Sequence, residues 1–565
     1  MTIAAASPLA VKRKLSRDDI IVGFALVALV AFLLLVIAVP LGILLSKSFQ
    51  NNKGEFVGLA NYIVYFSTPT LVASLWNSIW VALVTTAIVI PVSFGYAYAL
   101  SRTMMPAKPL FYAMALLPLF APSLLSAISF IYIFGNQGFL KSWLMGGQIY
   151  GPTGIIMAQV FYCLPHAMLI ITTALSLADG RLYEAADALG TSSFRVFRTV
   201  TIPGVKYGLV SAAFVVFTLV VTDFGIAKVI GGQFNVLATD AYKQVVGQQN
   251  FEMGAVVGLV LLAPAVIAFI VDRRIQRKQV ALLSARAVPL EPKPHKVNDL
   301  IATVYCLVVG GLVVGILGVA VWASFVTYWP YNLSLSVKNY RFGDFEPAGW
   351  GPYLTSLSMA GLASMFGTAI VFIGAYLIEK GQTFRGLRTF AHLLAMLPMA
   401  VPGLVLGLGY VFFINAKWNP LNIFYGTLAL LAVNSIAHFY TTAHITAVTA
   451  LKQIDNEFES VSASLKVPVW RTFLRVTLPI CMPAVLDVAV YMFVNALTTV
   501  SAVIFLYGAH TKLAAISIVH MDEAGTTAAA AAMATIIVLT AIAAKLLHLA
   551  IDYFVFGRLQ AWRKR

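Results

Sequence analysis

Apolar runs of about 20 residues recur along the whole chain, and they constrain its fold more than any other feature. Of the 565 residues, 60% are hydrophobic and only 11% are charged, which is far too apolar for a soluble protein of this length. Backbone groups inside lipid must pair within their own segment, and the alternating pattern of an outer-membrane barrel is missing. The sequence therefore predicts an all-α polytopic membrane protein that has the lipid bilayer as a partner.

The apolar runs form two sets of six. The predicted spans lie near 20–45, 73–100, 109–135, 154–178, 207–230 and 254–271, and then near 300–325, 354–378, 389–414, 424–450, 482–508 and 526–555. This arrangement predicts two homologous six-helix halves, which is a frequent design of transporters. We divide the chain into an N-terminal tail (1–19), a first half (20–271), a basic linker with prolines (272–299), a second half (300–556) and a basic C-terminal tail (557–565).

The distribution of basic residues predicts the orientation of the spans. With the N-terminus in the cytosol, most of the 38 lysines and arginines fall in cytosolic segments. Both termini and the linker are then expected in the cytosol. This topology also explains the net charge of +16 without nucleic acid as a partner.

A polar segment between two spans of the first half has a degenerate copy in the second half. Residues 184–203 read EAADALGTSSFRVFRTVTIP, and residues 460–479 read SVSASLKVPVWRTFLRVTLP. The identical pairs at this offset are Leu189/Leu465, Arg195/Arg471, Phe197/Phe473, Val200/Val476, Thr201/Thr477 and Pro203/Pro479. Apolar residues at helical spacing predict a helix–turn–helix in each copy, on the cytosolic side.

The turn residues of the two copies differ. In the first copy, Gly190 predicts a helix stop and Thr191-Ser192 predict an N-cap. In the second copy, Pro468 is expected to open the second helix. The small residues Ala185 and Ala186 would let another surface approach closely. The alternative is an amphipathic loop that only anchors neighbouring helices.

The segment EAADALG…F…TIP resembles the EAA loop of permease subunits of ABC importers that use an external binding protein. The resemblance extends over both halves and implies a type I ABC importer permease fold with two fused permease domains. It implies a multi-pass protein of the bacterial inner membrane, two separate ATPase subunits and a periplasmic substrate-binding protein as partners.

The resemblance also implies which residues contact the ATPase subunits. In the first loop they are Glu184, Ala185, Ala186, Gly190 and Pro203, and in the second they are Leu465, Lys466 and Pro479. The second loop has Ser460 at the glutamate position and Lys466 at the glycine position. Because lysine adopts a left-handed backbone less readily than glycine, we expect a different turn there and non-equivalent ATPase contacts.

No chemistry is expected within this polypeptide. The sequence contains no G-x-x-x-x-G-K-[ST] nucleotide loop, no H-E-x-x-H and no C-x-x-C. We therefore predict neither catalytic residues, nor a cofactor, nor a metal site, and we expect the energy for transport to come from the ATPase partners.

Two polar residues within spans are candidates for the translocation pathway. An ionisable residue in a span costs roughly 2.5–3.5 kcal/mol on insertion scales, so Asp223 needs an explanation. It could line the pathway, close an outer gate with Lys228, or hydrogen-bond neighbouring helices. Asn495 is the weaker candidate. Proline pairs in the third span of each half (Pro118/Pro122 and Pro398/Pro402) predict kinks.

Two further function classes and the substrate stay open at this point. An ion-coupled secondary transporter would also show twelve spans and a repeat, whereas a membrane enzyme would need a catalytic constellation. Residues 222–251 and 273–290 are similar to permeases assigned to 2-aminoethylphosphonate import. Fused permeases for ferric iron or thiamine are the alternatives.

Overall fold

The first half of the bundle consists of long helices joined by short ones. The computed structural model describes residues 16–282, 288, 290–455 and 457–556. The first-half helices are α1 (Arg17–Ser48), α2 (Ala60–Ser67), α3 (Pro69–Arg102), α4 (Lys108–Phe120), α5 (Ser123–Phe134), α6 (Pro152–Ser176), α7 (Gly180–Ala188), α8 (Ser193–Thr222), α9 (Gly225–Ile230), α10 (Leu237–Tyr242) and α11 (Phe251–Leu282).

The second half repeats the order of the long helices, with a β-hairpin and 3₁₀ turns where the first half has α2, and with no helix equivalent to α9 in the part of the chain that the structure describes. Its elements are α12 (Lys296–Phe325), β1 (Val326–Tyr328), β2 (Asn332–Leu335), α13 (Gly351–Glu379), α14 (Arg385–Ala400), α15 (Gly403–Ile414), α16 (Leu428–Lys452), α17 (Glu457–Ser464), α18 (Val469–Ile480), α19 (Met482–Thr498), α20 (Ala514–Glu523) and α21 (Thr527–Val555). Short 3₁₀ turns occur at Lys141–Leu144, Lys338–Tyr340, Phe342–Asp344 and Pro420–Phe424. The strands form an antiparallel hairpin that pairs Val326 with Leu335 and was not predicted.

The helices match the predicted spans in number and broad position. Within the described ranges, eight helices are long and apolar enough to cross a membrane, and three bent pairs bring the count to eleven. The remaining predicted span is α16, a 25-residue helix whose polar side chains, among them Asn434 and His444, lower its hydropathy.

The proline pairs break the third span of each half, as predicted. The α4/α5 pair is bent by 102° and the α14/α15 pair by 112°. Pro122 and Pro402 both have an extended backbone directly before α5 and α15. Proline lacks a backbone N–H and disfavours helix at the preceding residue, so two prolines four apart end one helix and begin another.

Three predicted helix ends were wrong. The fifth spans end at Thr222 and Thr498, earlier than predicted, because the backbone becomes extended at Asp223 and Thr499. The last helix of the first half continues to Leu282, into the segment predicted as linker. The predicted tails, apart from residues 16–19, and residues 283–287 and 289 of the linker lie outside the described residues.

The two halves exchange their first helices. Helix α1 packs against α11 of its own half and against α14 and α15 of the second half, while α12 packs against α21 and against α3, α4 and α5 of the first half. A tyrosine hydroxyl marks each contact, because buried Tyr410 donates to the Val36 carbonyl at 2.8 Å and half-buried Tyr305 donates to the Val92 carbonyl at 2.9 Å. Each half therefore completes the core of the other.

Candidate functional site

The first polar segment folds as the predicted helix–turn–helix. Helix α7 begins at the N-cap Asp179, whose carboxylate accepts from the Arg181 N–H at 3.1 Å. It ends at Ala188 with Leu189 as the C-cap, and Gly190 then adopts a left-handed backbone with φ +65°. Three backbone hydrogen bonds close the turn, from Leu189 to Ala185, from Gly190 to Asp187 and from Thr191 to Ala186 (3.1, 3.0 and 3.0 Å). This is a Schellman-type helix end. Ser192 is the N-cap of α8, as predicted.

The second segment makes the same turn, which corrects the expectation that the two turns differ. Leu465 donates to Val461, Lys466 to Ala463 and Val467 to Ser462 at 2.9, 3.2 and 2.9 Å, which are the equivalent bonds. Lys466 is left-handed with φ +54°. The same three bonds thus hold a lysine in a conformation that costs an L-residue about 1–2 kcal/mol. Pro468 is the N-cap before α18 rather than its first residue.

Each loop exposes large apolar side chains at the same three positions of the repeat. Leu182, Leu189 and Phe194 are 58%, 82% and 75% exposed, and their equivalents Phe458, Leu465 and Trp470 are 45%, 70% and 55% exposed. The members of each pair occupy the same position in the repeat. We call the end of the bundle that carries both loops the loop face.

The predicted contact residues differ in their exposure. Glu184, Ala185 and Gly190 are exposed, whereas Ala186 is 8% exposed and packs against the bundle. In the second loop Leu465 and Lys466 are exposed.

The prolines of the two copies sit in the same local structure. A π-helical turn precedes each of them, at Phe197–Thr201 before Pro203 and at Phe473–Thr477 before Pro479. A wider turn of this kind accommodates a residue that has no N–H and would clash with the preceding turn. Both prolines are exposed, so they shape the entry into the next helix rather than fill the core.

An aromatic contact fastens each loop to the second long helix of its half. The Phe197 ring lies 5.9 Å from the rings of Phe94 and Tyr98 on α3. The Phe473 ring lies 5.9 and 4.8 Å from the rings of Phe372 and Tyr376 on α13, in the same arrangement. The identity of Phe197 and Phe473 in the repeat was visible in the sequence, but their partners were not.

A basic residue at the C-terminal end of α3 and another at that of α13 each make a second contact with the loop of their half. The guanidinium of Arg102 lies 5.1 Å from the centre of the Tyr183 ring and donates to the Leu175 carbonyl at 2.7 Å. In the second half, Lys380 pairs with Glu459 at 3.8 Å and donates to the Ile454 carbonyl at 2.7 Å. Tyr183 and Glu459 are equivalent in the repeat, so a cation–π contact in one half is replaced by an ion pair in the other.

Segments from outside each repeat also touch the loops. The Gly180 N–H donates to the Val288 carbonyl at 2.8 Å, and Lys293 pairs with Asp187 at 2.8 Å. The Val469 N–H donates to the Asp18 carboxylate at 3.1 Å. The predicted linker thus contacts the first loop, and the start of α1 contacts the second.

Asp223 lies at a helix junction and does not pair with Lys228. Its carboxylate accepts from the Ile226 N–H at 2.9 Å and hydrogen-bonds the side chains of Ser123 and Gln159. Lys228 pairs instead with Glu523 of the second half at 2.5 Å. The prediction of an Asp223–Lys228 gate was therefore wrong, and the alternative of hydrogen bonds between helices describes Asp223.

The side-chain hydrogen bond described for Asn495 is local. Its amide donates to the Tyr491 carbonyl one turn earlier in α19, at 2.8 Å, and its side chain is half-buried. This geometry gives no support to a role in the pathway.

Duplicated helical halves, each with an EAA-type loop on the same face, define the permease class of ABC importers. Comparison with known proteins agrees, since residues 88–280 and 381–555 both match the binding-protein-dependent transport system inner membrane component. The chain belongs to this family. It is a multi-pass inner-membrane permease with two fused permease domains, and membership leaves the secondary transporter and the membrane enzyme without support.

Similar proteins include permeases for ferric iron. The chain is 27% identical to the ferric transport system permease protein FbpB of Actinobacillus pleuropneumoniae, over 80% of this chain and 67% of that protein. It is 24% identical to the Fe(3+)-transport system permease protein FbpB 2 of Haemophilus influenzae, over 90% of this chain and 95% of that protein. The spermidine/putrescine permease PotB of Haemophilus influenzae is 24% identical over 45% of this chain and 94% of its own length.

Proposed function

We propose that two separate ATPase subunits dock on the loop face, one at each EAA-type loop, and that a periplasmic binding protein delivers the substrate at the opposite face. The observation that carries this proposal is the pair of equivalent turns, which have the same hydrogen bonds and expose large apolar side chains at the same three positions. Large exposed apolar residues rimmed by polar ones are typical of protein–protein contacts.

The anchoring of the loops supports a role in transmitting force. Phe197 and Phe473 pack on α3 and α13, so a displacement of either loop reaches a membrane-spanning helix without passing through a flexible joint. When ATP binding brings the ATPase subunits together, the two halves are drawn together at the loop face and opened at the opposite face. ATP hydrolysis then resets the bundle.

The two docking contacts are not identical in this proposal. Both turns have the same backbone, so the difference lies in the side chains. Glu184 is equivalent to Ser460 in the repeat, and Gly190 is equivalent to Lys466. The first loop offers an exposed carboxylate where the second offers a hydroxyl and an added positive charge. Two identical ATPase subunits would therefore meet a negative charge at the first loop and a positive charge at the second.

Co-purification with the ATPase tests the docking. Glu184→Lys and Gly190→Pro are expected to abolish both transport and ATPase association, because the first reverses an exposed charge and the second forces a φ near −65° where the turn needs +65°. Glu252→Lys serves as a matched control, since Glu252 lies in the first turn of α11, away from the loops. Normal ATPase recovery with both loop variants would refute the docking role.

For the substrate we propose ferric iron. The support is the function for which the two long relatives are named, and both relatives match both halves of this chain. The predicted 2-aminoethylphosphonate has no counterpart among these relatives and stays a prediction from sequence similarity. Titration of the partner binding protein with ferric iron and with 2-aminoethylphosphonate separates the two, and tight binding of the phosphonate alone would overturn the iron proposal.

A further inference from the structure

The two halves meet at the face opposite the loops through two short helices. Helix α9 follows the fifth long helix of the first half, and α20 precedes the last long helix of the second half. The part of α8 from Ile202 to Thr222 has 21 residues, so about 31 Å separate α9 from the loop face. Helices α9 and α20 pack directly on each other.

An ion pair joins these two helices. Lys228 Nζ of α9 lies 2.5 Å from Glu523 Oε1 of α20. The side chain of Lys228 is 19% exposed and that of Glu523 is 46% exposed, so the pair lies at the rim of the contact. The Lys228 ammonium also lies 4.9 Å from the centre of the Tyr242 ring and makes a cation–π contact with it.

An aromatic contact between the halves accompanies the ion pair. The Tyr242 ring of the first half lies 6.2 Å from the Phe505 ring of the second half, in a stacked arrangement. Tyr242 also lies 5.1 Å from Phe224, which is fully buried next to Asp223. The same tyrosine therefore touches the cation, the first half and the second half.

Asp223 fixes the helix that carries the lysine. Its carboxylate accepts from the N–H of Ile226 in the first turn of α9 and binds Ser123 and Gln159 on α5 and α6. Glycine at position 225 is needed for this approach, because a Cβ there would lie 2.6 Å from Ser123 Oγ. The position of Lys228 is thus set by three elements of the first half.

We propose that the Lys228–Glu523 pair is a latch that keeps the face opposite the loops closed in the resting transporter. This inference rests on the proposed function, in which the halves separate at that face when ATP binds. Separation must break the ion pair and the Tyr242–Phe505 contact, so both contacts favour the closed state. Asp223 acts as a positioning residue for the latch.

Charge reversal tests the latch in proteoliposomes that contain the permease and its ATPase. Lys228→Glu or Glu523→Lys replaces an attraction by a repulsion and is expected to raise ATP hydrolysis in the absence of binding protein about fivefold, the shift in a two-state equilibrium produced by ~1 kcal/mol. The double variant Lys228→Glu/Glu523→Lys is expected to restore the low rate. Failure of the double variant to restore it, with normal membrane levels, would overturn the latch.

Cross-linking provides a second readout that does not depend on charge. A cleavable bifunctional thiol reagent applied to Lys228→Cys/Glu523→Cys is expected to block uptake, and cleavage of the reagent is expected to restore it. The matched control is Lys512→Cys/Glu346→Cys, because this ion pair of 2.8 Å lies within the second half and should tolerate the cross-link. The three native cysteines are buried, and single-cysteine variants control for their reaction.

The outcomes separate the latch from the transport function. Unchanged uptake with the 228–523 cross-link in place would overturn the latch and leave the importer intact. Lack of ATP-driven uptake by the wild-type assembly would instead count against the proposed function. Asp223→Ala is expected to lower the yield of the 228–523 cross-link, and an unchanged yield would refute its positioning role.

Discussion

The left-handed lysine of the second loop gives a prediction whose size follows from the structure. Lys466 has φ +54° and makes the same turn bonds as Gly190 with φ +65°. A left-handed L-residue costs about 1–2 kcal/mol, while glycine loses roughly 0.5–1 kcal/mol more chain entropy on ordering. Lys466→Gly should therefore stabilise the local fold of the second loop by a net ~0.5–1 kcal/mol.

Hydrogen exchange is the appropriate assay, because a change of this size is small beside the stability of the whole bundle. Local opening of the turn governs exchange of its amides, so those of Leu465 to Val467 should exchange about two- to fivefold more slowly in Lys466→Gly. The matched variant is Gly190→Lys in the first loop. A Cβ at position 190 meets no atom within 4 Å, so only backbone strain acts, and its amides should exchange about two- to fivefold faster.

Two results would refute this reasoning. Unchanged exchange in both variants would mean that the left-handed conformation carries no strain in this turn. Faster exchange in Lys466→Gly would mean that the lysine side chain stabilises the loop by more than its backbone costs.

Three further predictions concern the anchors and the opposite face. Phe197→Ala removes ring contacts to α3 and should destabilise the first loop by roughly 2 kcal/mol, which limited proteolysis of the loop would detect as faster cleavage with unchanged membrane insertion. Asp223→Ala should lower uptake more than it lowers the amount of protein in the membrane. Asp223→Asn keeps an acceptor oxygen for the Ile226 N–H and should lower uptake less. Equal losses of uptake and protein would assign Asp223 to folding. Burial raises the pKa of Glu346, but hydrogen bonds from Lys512 and Ser517 outweigh burial and hold that pKa below the ordinary 4.5. The ionised Glu346 carboxylate therefore stabilises the folded state. This stabilisation is present above pH 4.5 and is lost as the pH falls through the lowered pKa. Glu346→Gln should therefore lower the thermal stability at pH 7, and the difference from wild type should shrink in acid.

Local features of the fold were predictable because local chemistry determines them. The proline pairs had to break the third spans, and Gly190 followed by Ser192 had to end one helix and begin another. The turn at Lys466 was mispredicted for a reason of the same kind. Residue preference alone favours glycine there, but the three backbone bonds together exceed the cost of one strained residue.

Long-range contacts could not be read from the sequence. Lys228 has Asp223 five residues before it, yet its partner Glu523 comes from the other half. In a helical bundle the neighbours of a side chain depend on how the helices pack, and apolar periodicity gives only the buried face, not the helix that covers it. The same limit hid the partners of Phe197 and Phe473 on α3 and α13.

Because the two halves exchange their first helices, α1 is translated long before the helices of the second half on which it packs. Tyr410 binds the carbonyl of Val36 across 374 residues of chain, and translation at about 5–20 residues per second needs roughly 20–75 s to cover that distance. During this time α1 is already in the bilayer while the surface it will cover does not yet exist. A ribosome that stalls in the second half would leave the face of α1 that packs on α14 and α15 in contact with lipid, and the first half alone would not be a finished unit.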